Sequence, residues 1–484
     1  MSLVRQSMWA ASAGLVMTAS RFIVTAILAR KLSVDAFGQF VYSQWLVDIG
    51  FLVCALGATG VASRYFSEYR ENPSALAAVA QRWRPLSFVL PLFGALAAVS
   101  GAGISGLTFS VDAYVLLASW CLMSGLWGMH TAALTGLQRF DLVFTANVVA
   151  AVTMLIGVWL VPFDEDGSMK VFGIMAVAAG LASCVGLRPI ALVIKIKADE
   201  LSPERWGSIY RYAFNIWITA IMWSLVWSRG EIPVLRNLEG DEAVGTYAVA
   251  LTLYGGAVAG VMLWISGIAQ QITRYLGERN EQAALTLCRF ALDLQLLLIG
   301  VGALVLIWLA PELIELGFGV KYQGSAVLLG ILALGLPAMA LASCNHLLQI
   351  ITDARYSRNT TIFGVFLLFC CSWVGVSLLG VPGAALSRSS TLLIMGAITY
   401  FVFWRRWGLG VLGGFNISVV ILLLGVSVLF SLLPELKGLP VRLALCVGMI
   451  ALLLVLMKTK SKEPLVISVW LRVLSIIGRK SPNE

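Results

Sequence analysis

The sequence predicts an all-α polytopic membrane protein with about 14 transmembrane helices. Three observations predict it: an apolar composition, a succession of apolar runs of spanning length, and an alternation of basic and non-basic connections between them. Of 484 residues, 59% are hydrophobic and 12% charged, about half the charged share of a soluble globular chain, and mean hydropathy is +0.89. No aqueous fold hides that much apolar side chain. At roughly 30 to 40 residues per span and loop, the length holds 12 to 16 spans.

The runs fall near 8–29, 39–62, 85–107, 113–136, 142–162 and 171–194, a first set of six separated by charge clusters and Gly/Pro turns. The first begins straight after Met1-Ser2-Leu3-Val4-Arg5 and lacks a small-residue cleavage site, so it reads as a retained span. A basic connector, Lys195 to Arg211, leads to a second set near 212–235, 246–272, 290–310, 325–350, 360–380 and 384–404, and two more runs follow near 411–433 and 440–457. The expected organisation is a six-helix lobe over 1–197, a second over 198–408, two added helices over 409–460, and a tail over 461–484. In the tail, Ser468, Arg472, Ser475 and Arg479 recur every three or four residues among Val, Leu, Ile and Trp, the pattern of an amphipathic helix lying on the inner leaflet.

Short cytoplasmic loops are enriched in Lys and Arg. Alternate connections hold Arg5, then Arg64, Arg70, Arg82 and Arg84, then Arg139, Lys195, Lys197, Arg205, Arg211, Arg274, Arg279, Arg289, Arg355, Arg358, Arg405, Arg406 and the tail. The opposite side holds mainly Arg30, Lys31, Lys170, Arg236, Lys321, Lys437 and Arg442, leaving about three-quarters of the basic residues on the first. Both termini are therefore expected in the cytoplasm, with most of the net charge of +9 facing anionic lipid. No soluble basic domain exists to bind nucleic acid. The outer loops are too short for an extracytoplasmic catalytic domain, and no P-loop sequence occurs. The eight cysteines lie in apolar stretches without metal or redox spacing, so they read as core filler, and neither metal nor cofactor is expected.

The two sets of six repeat one another. Arg30-Lys31-Leu32, Asp35 and Gly38-Gln39-Phe40 answer to Arg236-Asn237-Leu238, Asp241 and Gly245-Thr246-Tyr247; Asn72 and Arg82 answer to Asn280 and Arg289. His130 with Arg139-Phe140 answers to His346 with Arg355-Tyr356, and these are the chain's only two histidines. Ordered agreement in four places predicts two pseudo-symmetric lobes, as in transporters that rock around a central site.

Ala29-Arg30-Lys31-Leu32-Ser33, Phe37-Gly38-Gln39-Phe40, Leu56-Gly57-Ala58 and Arg64-Tyr65 resemble the opening of the polysaccharide-biosynthesis flippases, and Val244-Gly245-Thr246-Tyr247-Ala248-Val249-Ala250 resembles their second lobe. These are the O-antigen (Wzx-type) members of the multidrug/oligosaccharidyl-lipid/polysaccharide (MOP) exporter superfamily. The resemblance covers the whole chain through loose turn and helix patterns rather than catalytic signatures. It implies two six-helix lobes in a V around a central cavity, alternating access, and an undecaprenyl-diphosphate-linked oligosaccharide as substrate, in the bacterial inner membrane. Lipid II flippases of the superfamily carry an essential arginine in the first helix, and Arg21 occupies a comparable place. The acidic cluster found in the first helix of many drug exporters is absent.

An anionic, hydrated headgroup crossing about 30 Å of hydrocarbon needs a cationic cavity. Arginine suits it, staying charged and gripping phosphate oxygens with a planar fork. The candidates for this cavity are Arg21, Arg64, Arg229 and Arg388, with Arg139 and Arg355 near cytoplasmic ends. Snorkelling to lipid phosphate explains Arg64, Arg139 and Arg355 as well, and interface anchoring explains Arg388. Arg229, too close to Glu231 in register to stack on it, also reads as the outer end of the seventh helix. Asp48 and Asp293 are candidates for ion pairing or for proton or sodium coupling. His130 and His346 either titrate or hydrogen-bond between helices. Trp120, Trp127, Trp217, Trp223 and Trp227 fall deep enough to line a sugar-binding wall.

The expected partners are a lipid-linked saccharide, membrane lipids, and the polymerase and glycosyltransferases of the same pathway, around a monomer. A cation-coupled drug exporter is the alternative within the superfamily, and a membrane-embedded glycan polymerase or ligase the alternative outside it.

Overall fold

The computed structural model describes residues 3–162, 167–352, 355–407, 417–431 and 438–460; the expected amphipathic tail lies outside them. All regular structure among the described residues is helical, the solution that satisfies backbone polar groups internally where no water is present. Among the described residues ten helical stretches are long and apolar enough to cross a membrane, and the bent pair Val34–Cys54 and Ala58–Glu68, counted as one span, makes an eleventh. One of the ten, Pro203–Gly260, is 58 residues long. Straight, it would measure about 87 Å, far more than one crossing needs. The chain divides into two compact units, Met1–Ala248 and Val249–Glu484.

In the first unit, α1 (Leu3–Lys31) packs on α6 (Phe140–Leu160). Asn147 donates to the Ala13 carbonyl at 3.0 Å, and Lys31 donates to the carbonyls of Val158 and Trp159 at 2.9 and 3.1 Å. Helix α2 (Val34–Cys54) starts where Ser33 Oγ accepts from the Ala36 amide at 3.1 Å, a cap worth about 1 kcal/mol. It ends at Leu56 and Gly57, both at positive φ (45° and 77°), and α3 (Ala58–Glu68) leaves at 58°. Left-handed backbone admits glycine without cost, and a Cβ on Gly57 would overlap the Ala213 carbonyl. Asn72 and Ser110 cap α4 (Pro73–Ile104) and α5 (Val111–Gly136) in the same way. Helix α7 (Gly167–Ile194) lies along α5.

Helix α8 (Pro203–Ser224) is capped by Ser202 and passes into a π-helical turn, Leu225–Arg229. Then α9 (Ile232–Gly277) begins, broken by Gly240 at φ 85°. The core of this unit holds Ala62, Phe66, Ala80, Met129 and Ala133 around Trp83, whose Nε1 donates to the Ala58 carbonyl at 3.0 Å. Alanines stand among these large residues, and small side chains let helices approach closely where lipid is as apolar as the helices themselves. Large apolar residues such as Phe93, Leu96 and Val177 are exposed.

In the second unit α10 (Glu281–Trp308) is the most buried of the helices long enough to span, touched by α16 (Ile417–Ser431) and α17 (Leu439–Lys460); Leu453 fills the space over Gly300. The apolar run expected near 325–350 is not one straight helix. Short helices α11 (Ala310–Phe318), α12 (Ser325–Ala333) and α13 (Ala342–Ile351) are joined by 3-10 turns at Val320–Tyr322 and Leu336–Leu341. Gly335 and Pro337 stand at the second break, and proline removes a helical donor. Helices α14 (Arg355–Leu379) and α15 (Val381–Trp407) meet at a tight turn with Gly380 at φ 63°, Gly375 against Gly383.

Candidate functional site

Three charged residues from three segments of the first unit come together. The Asp48 carboxylate on α2 interacts electrostatically with Arg21 of α1 and Arg229 of the π-turn. Arg229 donates from Nη1 to Gln44 Oε1 at 2.7 Å. Gln44 and Asp48 are four residues apart and so share one face of α2. Arg21 and Asp48 are exposed and Arg229 is half-buried. Charges on a lipid-facing surface would cost about 2.5 to 3.5 kcal/mol each, so ionisable side chains on apolar helices gather with charged and polar partners, as in this cluster. Two guanidiniums against one carboxylate leave it cationic.

The π-turn explains how Arg229 arrives there. One wide turn shifts the register of the side chains that follow it relative to α8, and such turns recur at functional sites. Trp223, just before it, and Trp227, within it, have rings stacked at 5.0 Å, and Trp223 is half exposed. Trp217, on the same segment, donates to the Val53 carbonyl at 2.9 Å. Trp120 instead is buried between Phe40 and Phe172, with ring centroids at 5.8 and 5.6 Å, so it packs the core and presents no wall. Glu231 is fully buried and accepts from the Tyr247 hydroxyl at 2.6 Å.

Arg64 stands apart, beyond the bend on α3. It is exposed, 3.8 Å from Glu68 and 4.4 Å from the centre of the Tyr212 ring. Arg205 reaches the same Glu68 at 3.3 Å and the Tyr69 hydroxyl at 3.0 Å, while Arg82 lies 4.0 Å over Trp206. Exposed pairs of this kind add little stability, but they line one end of the unit with cations on aromatic faces. Arg139, just ahead of α6, grips Asp141 with two bonds of 3.0 Å, and those hydrogen bonds raise its pKa.

The remaining candidates lie outside this cluster. His130 is buried, and its Nδ1 lies 2.8 Å from the Ser183 carbonyl; a carbonyl only accepts, so that nitrogen carries the proton and joins α5 to α7. In the second unit Asp293 and Arg388 are buried at 0% and 1% exposure, the Arg388 guanidinium 5.6 Å from the Tyr254 ring centre. Neither lies on an accessible surface. His346 is half-buried on α13, and the side chain of Arg355 lies outside the described residues. Among the described residues no cluster of His, Cys, Asp and Glu has metal-binding geometry.

Comparison with known proteins places this architecture. The family model described as polysaccharide biosynthesis protein matches residues 3–259. The chain belongs to the polysaccharide biosynthesis protein family. No curated protein matches it, but solved structures do. An inward-facing multidrug resistance MATE family transporter of the MOP superfamily matches with a TM-score of 0.68 at 14% identity, over 86% of this chain and 98% of its own. The lipid II flippase MurJ, in an inward closed conformation, matches at 0.64 and 14%, over 91% and 96%. A MOP superfamily transporter from Pyrococcus furiosus, described as having a binding pocket of reverse polarity, matches at 0.60 and 14%, over 86% and 95%. At these identities the likeness shows the fold: this member of the polysaccharide biosynthesis family has a MOP-type transporter fold. Two of these neighbours are described as transporters and one as a flippase.

Proposed function

We propose that this protein flips an undecaprenyl-diphosphate-linked oligosaccharide from the inner to the outer leaflet of the bacterial cytoplasmic membrane, for O-antigen, capsule or exopolysaccharide synthesis. The observation that carries this reading is the cluster of Arg21, Arg229, Asp48 and Gln44. A diphosphate offers oxygens to two arginine forks at once, and charge-assisted bonds of that kind are about twice as strong as neutral ones. Asp48 keeps both guanidiniums oriented when no substrate is bound. The headgroup then displaces its share of their charge, so binding and release exchange one set of ionic contacts for another.

The wider architecture follows the same proposal. Counting the bent pair once, the 58-residue stretch as two crossings, and the shorter apolar helices Ser325–Leu341 and Val420–Leu429 as spans gives 14: two six-helix lobes around a V-shaped cavity, plus two added helices, with both termini cytoplasmic. Arg64 and its neighbours then line the cytoplasmic mouth. The alternative, a cation-coupled drug exporter, would need a net acidic site for a cationic cargo, and the cluster has the opposite sign.

Reconstitution into liposomes tests the proposal. The protein should translocate a fluorescent polyprenyl-diphosphate oligosaccharide and leave a neutral glycolipid of equal chain length in place. Export of cationic dyes without movement of the diphosphate lipid would refute it.

A further inference from the structure

The exposed surface of α8 differs from that of the other helices around it. The helix buries Ile209 alone, yet exposes no Leu, Ile, Val or Met; Ser208, Tyr210, Arg211, Phe214, Asn215 and Trp223 are exposed instead. Helix α4 shows the contrast, presenting Leu86, Val89, Leu92 and Leu96, the surface that hydrocarbon requires. Aromatic rings mixed with amide, hydroxyl and guanidinium groups suit a different contact. A sugar ring has an apolar C–H face edged by hydroxyls, and it matches such a surface.

Two ties to α2 fix the height of the tryptophans. Trp217 donates from Nε1 to the Val53 carbonyl at 2.9 Å, and Arg229 donates to Gln44 at 2.7 Å. Trp223 and Trp227 lie between these ties along the chain, as Asp48 lies between Gln44 and Val53 on α2. The stacked indoles therefore stand level with the charged cluster, and Trp227 precedes Arg229 by two residues on one π-turn. Asp48 follows the start of α2 by fourteen residues, about 21 Å, and the bent pair continues beyond it. An interfacial aromatic belt would sit at helix ends instead.

We infer, on the footing of the flippase reading above, that Trp223 recognises the saccharide: the sugar ring joined to the diphosphate lays its C–H face on this indole while the diphosphate lies between Arg21 and Arg229. Trp223 is 52% exposed, and the half-buried Trp227 ring backs it. A backed, rigid ring offers contact area at little cost in side-chain entropy. Ser228, exposed beside the pair, supplies a hydroxyl at the edge. The consequence is selectivity. A carrier lipid bearing only a diphosphate satisfies the arginines equally well but leaves Trp223 uncovered, so the protein distinguishes loaded from bare carrier.

Titration of the full chain in an amine-oxide detergent, which carries no sugar, tests this with undecaprenyl-diphosphate N-acetylglucosamine and with undecaprenyl diphosphate. Wild type should bind the glycosylated lipid about tenfold more tightly, the scale of one aromatic stacking contact. Trp223→Leu should abolish that difference while leaving affinity for the bare diphosphate unchanged, and Trp223→Phe, which keeps a flat ring, should retain most of it. Equal affinities in wild type, or a preference that survives Trp223→Leu, would overturn the assignment. Equal loss of both affinities in Trp223→Leu would make the residue structural and overturn it too. Wild type that binds neither diphosphate lipid, but binds a neutral alkyl glucoside through Trp223, would overturn the flippase reading and leave the saccharide contact standing; binding of none of the three would overturn both.

Discussion

Arg229 donates to Gln44 at 2.7 Å from a π-helical turn, and Gln44 stands one helical turn before Asp48 on α2. Gln44 is therefore a positioning residue for a cation. Gln44→Ala should weaken binding of polyprenyl diphosphate in detergent roughly tenfold, the loss of one hydrogen bond to a charged group. Gln44→Glu should weaken it further by neutralising Arg229. Titration calorimetry on both variants checks this, and an unchanged affinity in both would remove Gln44 from the site.

Asp48 opposes the headgroup it helps to receive. Asp48→Asn should tighten binding of the diphosphate lipid by about tenfold, a modest fraction of a unit-charge interaction at this range, and should slow turnover because release is no longer assisted. Parallel affinity and flipping measurements read both halves. Weaker binding in Asp48→Asn would mean that the carboxylate touches the substrate favourably.

Arg388 separates burial from binding. At 1% exposure and stacked toward Tyr254, it supports the second unit, so Arg388→Ala should lower the melting temperature by several degrees, a loss of about 2 to 3 kcal/mol. Folded Arg388→Ala should still bind the diphosphate lipid as wild type does. Unchanged melting with lost binding would place Arg388 in the substrate path.

His130 joins α5 to α7 through the Ser183 carbonyl. His130→Ala leaves that carbonyl without this partner in a buried setting, which costs about 1 to 3 kcal/mol, and melting should fall accordingly. A variant that melts like wild type would show that the bond contributes nothing.

Much of this arrangement is legible in the chain itself. Apolar runs locate α1, α4 to α7, α10, α14 and α15, and the caps Ser33, Asn72, Ser110 and Ser202 stand one residue ahead of their helices. Charge at membrane depth singles out Arg21, Asp48 and Arg229, which the fold then gathers. What stays hidden depends on register and tertiary contact. Hydropathy averages over a window, so it passes through the bend at Leu56 and Gly57, the π-turn, and the broken segment from Ala310 to Ile351. Gln44 carries no charge to draw notice and acquires its role only when Arg229 arrives. Arg388 looks as polar as Arg21, and only packing distinguishes a buried cation from an accessible one.

The most direct test is the initial flipping rate of a labelled polyprenyl-diphosphate oligosaccharide in liposomes containing wild type, Arg21→Ala, Arg229→Ala and the double variant. Each single variant should lose at least about tenfold, the worth of a charge-assisted hydrogen bond, and the double variant should fall to the rate of protein-free liposomes. Wild-type rates in folded Arg21→Ala and Arg229→Ala would contradict the account.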